Sequence, residues 1–339
     1  MTQVMNYYKW PPKGTGSMTY TIKPGAEPIT LSCDFSTFEF DWDNMLDSYQ
    51  GSYSEAEADA VARLSYAGGV ALEMEYWTYA SSAYSQLVPR ALIDFFGYDK
   101  RTVCLIRDVF TADEWEQTVY DQLVDYGPAA YSGANNEAGH SFVCDGYGGD
   151  GYFHFNWGWS GISDGYYLLT ALNPPAQGIG GSSGAFSYGQ DIIANVRQAQ
   201  PDSHYILNLI MTDSFVFSDE SVPVGSTVTI HSTNIEDFLW NYCAYTFTGS
   251  CGIRITPCDD TPGETVYAGT PLPTGLGILK YVSSYECTIP ANLPDGTYRV
   301  TPAAKDPDGD WQDIHVLNNY VKEQIMTVTD GAASALSSR

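Results

Sequence analysis

The pattern of apolar and polar positions changes character once along the chain. Over residues 1–197 helical and strand periods are mixed. Ser54-Glu-Ala-Glu57 reads as a capping box, a serine at the N-cap answered by a glutamate three residues on, ahead of an Ala-rich helix that ends near Gly68-Gly69. Thr111-Ala-Asp-Glu114 repeats the signature. Its helix carries Trp115, Val119, Leu123 and Val124 on one stripe and stops at Gly127-Pro128. A third helix is expected over about 85–96, with Pro89 near its first turn and Gly97 as its stop. The opening residues read as the tail of an aromatic-rich helix halted by Pro11-Pro12. Strand-like runs cover 101–107, 128–132, 140–147, 152–157 and 166–172, and 178–189 is a Gly/Ser-rich loop.

Beyond residue 200 the helical period disappears. Short β-branched and aromatic runs recur between turn residues, at Tyr205–Met211, Ser226–His231, Tyr242–Phe247, Ile253–Thr256, Glu286–Ile289, Thr297–Thr301 and Tyr320–Val328. This pattern predicts an all-β, immunoglobulin-like sandwich. The expected organisation is an α+β domain over 1–197, a linker Gln198-Ala-Gln-Pro201, a β-sandwich over 202–330 and a disordered tail over 331–339.

The length of 339 residues suits two domains. Acidic residues number 41 against 15 basic, a formal charge of −26, which repels phosphate backbones and anionic headgroups and so excludes nucleic acid and membrane surfaces as partners. With 14% aromatic and only 17% charged residues the chain is a folded globular protein. It contains no apolar run long enough for a transmembrane helix and no visible signal peptide. Its seven cysteines form no CxxC and no Cys/His cluster, so no metal or cofactor is expected. Cys243, Cys251, Cys258 and Cys287 leave room for one or two disulfides in the second domain.

Candidate chemistry is concentrated between Gly139 and Asp164. Gly139-His140-Ser-Phe-Val-Cys-Asp-Gly146 is followed by Phe155-Asn156-Trp157-Gly158-Trp159-Ser160-Gly161. A histidine on one strand and an Asn-Trp pair on the next are what a Cys–His peptidase needs beside its nucleophile. The imidazole takes the thiol proton and returns it to the leaving amine, the Asn oxygen fixes the ring, and the Trp shields that bond from water. A three-residue turn centred on Gly149 would set His140 opposite Gly158 and Asn156 opposite Phe142. His140 and Asn156 would then share a face as diagonal neighbours, about 7–8 Å apart at the backbone. A two- or four-residue loop would put them on opposite faces. His154, His204, His231 and His315 read as structural, the last three in the second domain. Asp306-Pro-Asp-Gly-Asp310 has alternating carboxylates, but Leu317 stands where an EF-hand loop needs Glu, so it reads as an acidic turn. The glycines of 178–184 have neither the Lys nor the strand-turn-helix setting of a phosphate loop.

Over about residues 2–197 the chain resembles the streptopain family of papain-like cysteine peptidases, which are secreted by bacteria. The resemblance is carried by Thr2-Gln-Val-Met-Asn-Tyr7, Phe40-Asp-Trp-Asp-Asn-Met-Leu46, Arg90-Ala-Leu92 and Phe96-Gly-Tyr98. It continues through Gly139-His140-Ser-Phe-Val143, Phe155 to Gly161, Asp164-Gly-Tyr166 and Leu172-Asn-Pro174. It implies a papain-like fold, with His140 as catalytic histidine, Asn156 as its orienter, Trp157 beside them and the Gly139 backbone against the substrate. It also implies a mobile Gly-rich active-site loop at about 178–187. Family members are endopeptidases made as secreted zymogens, acting on proteins and peptides and favouring an apolar side chain two residues before the cleaved bond. A non-catalytic protein- or glycan-binding protein on a degenerate peptidase scaffold is the competing expectation.

One departure matters. The family's nucleophilic Cys lies a few residues before the Gln that matches Gln3, and this sequence begins at Met1. Papain-like enzymes place their His about 130–150 residues after the Cys, which puts the nucleophile just upstream of Met1. The sequence is therefore expected to be truncated and inactive as written. Cys144 is four residues after His140, on the same strand face but about 13 Å away, whereas nucleophile and base must approach to about 3 Å. Cys104 sits in an apolar strand, and Cys33 in a polar loop without assigned structure.

Overall fold

A computed structural model describes residues 1–178, 181 and 184–336. The chain forms two compact units, Met1–Ile206 and Leu207–Arg339.

Among the described residues, unit 1 has four α-helices. α1 (Thr2–Tyr8) is closed by Lys9 in the left-handed conformation. α2 (Glu55–Ala71) starts at the Ser54/Glu57 capping box, both reciprocal bonds formed. It runs through Gly68-Gly69 instead of stopping there. A Cβ at Gly68 would lie 2.8 Å from Thr2 Cγ2, and one at Gly69 would lie 1.9 Å from Tyr76 Oη. These glycines thus serve close packing rather than termination. A 3₁₀ turn at Ser85–Leu87 leads into α3 (Val88–Phe96), with Pro89 in its first turn and Gly97 left-handed at its end. α4 (Ala112–Asp125) opens on the Thr111/Glu114 capping box. Its buried stripe is Trp115, Val119 and Gln122, while Val124, expected on the stripe, is 64% exposed.

The described residues of this unit form ten strands: β1 (Ser17–Ile22), β2 (Ile29–Asp34), β3 (Glu75–Tyr76), β4 (Ser81–Ser82), β5 (Val103–Ile106), β6 (Ala129–Ala134), β7 (Gly139–Gly149), β8 (Tyr152–Asn156), β9 (Gly165–Leu168) and β10 (Tyr188–Ala194). The hairpin β1–β2 was not foreseen, and it places Cys33 on a strand with its side chain buried. The central sheet is antiparallel in the order β5-β10-β6-β7-β8-β9. One face packs on α1–α3 through Val4, Met5, Leu64, Leu92, Phe96 and Val143. The other face packs on α4, through Trp115, Tyr131, Phe142, Phe155 and Trp157.

The segment 198–201, expected as a free linker, is tied to unit 1. Gln198 bridges Tyr98. The buried carboxylate of Asp99 accepts hydrogen bonds from the N–H groups of Arg101 and Gln200, from Ser203 Oγ at 2.6 Å and from Arg197 Nε. Burial pushes its pKa up, but these donors and the Arg197 charge outweigh that and leave it lowered. His204 accordingly belongs to unit 1.

The secondary structure assigned to unit 2 is all strand, arranged in sheets of four, three and seven strands. Their inward residues, among them Met211, Ile230, Leu239, Ile253, Val300 and Met326, share one core. The tail expected to be disordered contributes a strand, Ala332–Leu336, which pairs with Gln324–Thr329 and Val222–Pro223. Thr327 and Val328 offer it a β-branched edge, which outweighs the small residues of the tail itself. No disulfide forms among the described residues, and Cys243, Cys251 and Cys287 are buried in the unit 2 core.

Candidate active site

His140 is the second residue of β7 and half-buried. β7 keeps strict alternation against β6, with His140 opposite Gly133, Ser141 opposite Ser132 and Phe142 opposite Tyr131. His140 therefore shares its face with Phe142 and Cys144. Its ring stacks on Trp159 at 4.7 Å and 15°, and touches the rings of Phe142 and Phe186. His140 Nε2 lies 2.8 Å from the main-chain oxygen of Trp157. A carbonyl only accepts, so Nε2 carries the proton and Nδ1 keeps its lone pair. Burial lowers the His140 pKa from its ordinary value of 6.5, partly offset by the bond to Trp157.

The expected partnership with Asn156 is not formed. The β7–β8 turn carries bulges between Cys144 and Gly146 and between Tyr147 and Gly149, which set Asn156 opposite Val143 rather than Phe142. One residue of slip moves a side chain to the other face. The Asn156 amide oxygen accepts from Gly158 N–H at 2.9 Å. Its side chain lines a cavity of about 490 Å³ with Thr2, Gln3, Asn6, Val143 and Asp145. Trp157 is fully buried; its backbone N–H donates to Asp164 Oδ1 at 2.9 Å, and its ring meets Tyr167 edge-on. It holds the histidine through its carbonyl, a backbone group that leaves no trace in the sequence pattern. Gly139 is exposed at the start of β7, and a Cβ there would find nothing nearer than Gly133 O at 3.9 Å.

Of the Gly-rich loop, residues 179, 180, 182 and 183 lie outside the described ones. Its start closes on the site, since a Cβ at Gly178 would fall 2.7 Å from Trp159 Cδ1. Its end returns Phe186 to the imidazole. His154, read as structural, bonds Asp145 Oδ1 through Nδ1 at 2.5 Å with its ring edge-on to Tyr166. The cysteines of unit 1 are poor nucleophiles. Burial, aided by the Asp34 charge, pushes the Cys33 thiol up to about 11, and burial raises Cys104 and Cys144 as well. Residues that the sequence reading passed over are Trp159 and Phe186, whose rings pack against the imidazole.

A mixed α+β domain whose central sheet fixes an imidazole through Nε2 at the start of a strand, leaving Nδ1 as the acceptor, has the arrangement that a Cys–His peptidase requires of its base. Comparison narrows the class. Residues 1–167 match the model of the Peptidase C10 family. Streptopain of Streptococcus pyogenes is 35% identical over 199 residues, 58% of this chain and 50% of that protein. The active wild-type interpain A cysteine protease of Prevotella intermedia is 37% identical with a TM-score of 0.51, covering 57% of this chain and 78% of that one. The thiol protease/hemagglutinin PrtT of Porphyromonas gingivalis is 28% identical over 341 residues, 98% of this chain and 37% of that protein. The chain belongs to the C10, or streptopain, family of cysteine peptidases. It spans about half the length of streptopain and just over a third of PrtT.

Proposed function

We propose that unit 1 is the acid–base half of a secreted streptopain-type endopeptidase acting on proteins and peptides. The observation that carries this is the 2.8 Å contact between His140 Nε2 and Trp157 O. With Nε2–H held by the carbonyl, Nδ1 is the atom that takes a thiol proton. The thiolate then attacks the peptide carbonyl, and the imidazolium returns the proton to the leaving amine. Stacking on Trp159 limits the ring's rotation, and burial keeps it neutral and able to accept at pH 7. The Gly139 backbone, exposed on the strand before His140, is the substrate-binding edge.

These 339 residues lack the nucleophile on this reading, because Cys33, Cys104 and Cys144 are buried thiols with raised pKa values. The test is cleavage of casein or a fluorogenic peptide with and without a thiol alkylator: the chain as written shows no alkylator-sensitive turnover. A second reading, a protein- or glycan-binding protein on a peptidase scaffold, is favoured by the alignment of both units with a protein named a thiol protease/hemagglutinin. Turnover after a nucleophile is supplied separates the two.

A further inference from the structure

On the α4 side of the central sheet three polar side chains are buried in series. Trp115 of α4, Tyr131 of β6 and Gln190 of β10 are each no more than 1% exposed. Trp115 Nε1 donates to Tyr131 Oη at 2.8 Å, and Tyr131 Oη donates to Gln190 Oε1 at 2.5 Å. The Gln190 amide N–H groups go to main-chain oxygens, Leu169 O at 2.7 Å and Ser187 O at 3.3 Å. Gln190 stands two residues before Ile192, which pairs with Tyr131, so strand alternation sets both on this face. The bulge between Tyr188 and Asp191 contains Gly189 at φ +50°, where a side chain would be strained. An unpaired amide among aromatic rings is costly, but here the carbonyl and both N–H groups have partners. A satisfied network of this kind fixes the elements it joins in one arrangement, whereas an apolar side chain of the same size only fills volume.

What the network holds is the approach of Phe186 to His140. Ser187, whose oxygen Gln190 engages, directly follows Phe186. Phe186 N–H donates to Leu172 O at 2.8 Å, and Leu172 N–H donates to Ser187 Oγ at 3.2 Å. Gln190 thus joins the turn at 169–172 to the returning segment 186–187. Phe186 is fully buried, with its ring centroid 5.6 Å from that of His140 and 5.8 Å from that of Trp157. Its main-chain oxygen lies against Gly133, the residue opposite His140 in the sheet. Tyr131 supplies a second link, since its ring stacks on Phe142 at 5.6 Å and Phe142 packs against the imidazole.

We propose that Gln190, held by Tyr131 and Trp115, is a positioning residue for the His140 base, seating Phe186 against the imidazole so that the ring stays shielded and oriented. This rests on the peptidase reading of His140 and adds to it a residue that acts through Phe186.

The test is an NMR pH titration of His140 in the 339-residue chain, which needs no turnover. Gln190→Met keeps the side-chain length and removes its three hydrogen bonds. Phe186 then loses its hold and the imidazole gains solvent. Burial is what lowers the His140 pKa, so the titration moves up toward its ordinary value of 6.5. Tyr131→Phe removes only the hydroxyl and moves the titration in the same direction; it carries the test if Gln190→Met does not fold. Leu92→Ala, a cavity in the core on the other face of the sheet, is the comparison: it lowers the melting temperature and leaves the titration in place. Lowered melting temperatures in Gln190→Met and Tyr131→Phe with an unmoved His140 titration make the network a structural brace only; they overturn the proposal and leave the peptidase reading standing. A titration that moves as far in Leu92→Ala reports general loosening of unit 1 and overturns it too. The peptidase reading fails on separate grounds, if turnover by a chain supplied with the cysteine survives His140→Ala.

Discussion

Replacing Asn156 by Ala separates two ways of holding His140. If the amide oriented the imidazole, its loss would free the ring. In the structure that amide oxygen accepts one hydrogen bond, from Gly158 N–H at 2.9 Å. A single intramolecular hydrogen bond is worth about 0.5–1.5 kcal/mol net. For a unit of this size each kcal/mol moves the midpoint of thermal unfolding by about 2–4 °C. Asn156→Ala should therefore lower the melting temperature by only a few degrees. The His140 titration should stay where it is, because Trp157 O and the Trp159 ring still hold the imidazole. Burial places that titration below 6.5. The folded state thus binds the proton less readily than the unfolded chain. The neutral ring's stability contribution is whole above the unfolded pKa and fades as pH falls through the lower folded value. Trp159→Phe, which leaves a smaller ring over His140, should move the titration up toward the ordinary value. The assay is an NMR pH titration of the histidine Cε1–H resonances, with His140 assigned by its loss in His140→Ala. A His140 titration that moves as far in Asn156→Ala as in Trp159→Phe would refute this assignment of the orienter.

Gly133→Ala should destabilise unit 1 by roughly 1–3 kcal/mol and disturb the His140 resonance, because a Cβ there would fall 2.2 Å from the backbone oxygen of Phe186, whose ring packs at a tilt against His140; a melt and spectrum like wild type would count against that packing. Asp99→Ala should cost about 1.5–3 kcal/mol by stranding the donors of residues 101, 200 and 203. Since its carboxyl pKa is lowered, wild-type stability from Asp99 is present above the unfolded pKa and lost as pH falls through the folded one, so the variant should show a flatter acid limb in denaturation curves. Residues 207–336, with one core shared by three sheets, should unfold cooperatively when expressed alone; a broad non-cooperative melt would show that unit 2 needs unit 1.

The helices were readable because each is announced by local chemistry. Both capping boxes and the Pro89/Gly97 bracket fall where the residues place them. The α2 terminus was misjudged since glycine serves equally as a stop and as a contact surface, and only the neighbouring helix decides which. Gln122 and Val124 exchanged roles because a glutamine that finds Asn195 N–H and Gly127 O can be buried. His140 was legible from the strand spacing and from the resemblance. Its true holder was not, because a two-bulge turn shifts the register by a residue and a carbonyl has no sequence signature.

The central claim is that His140 works as the base once a thiol is supplied. The most direct measurement fuses the cysteine-bearing segment of streptopain ahead of α1 and follows hydrolysis of a fluorogenic peptide, with and without a thiol alkylator, beside the 339-residue chain. The account predicts no alkylator-sensitive turnover by the chain alone and clear turnover by the fusion. In the fusion, His140→Ala abolishes turnover by several orders of magnitude, while Cys144→Ala leaves most of it. Alkylator-sensitive cleavage by the chain alone, with Cys33 the first residue to examine, or a fusion that stays active without His140, would contradict it.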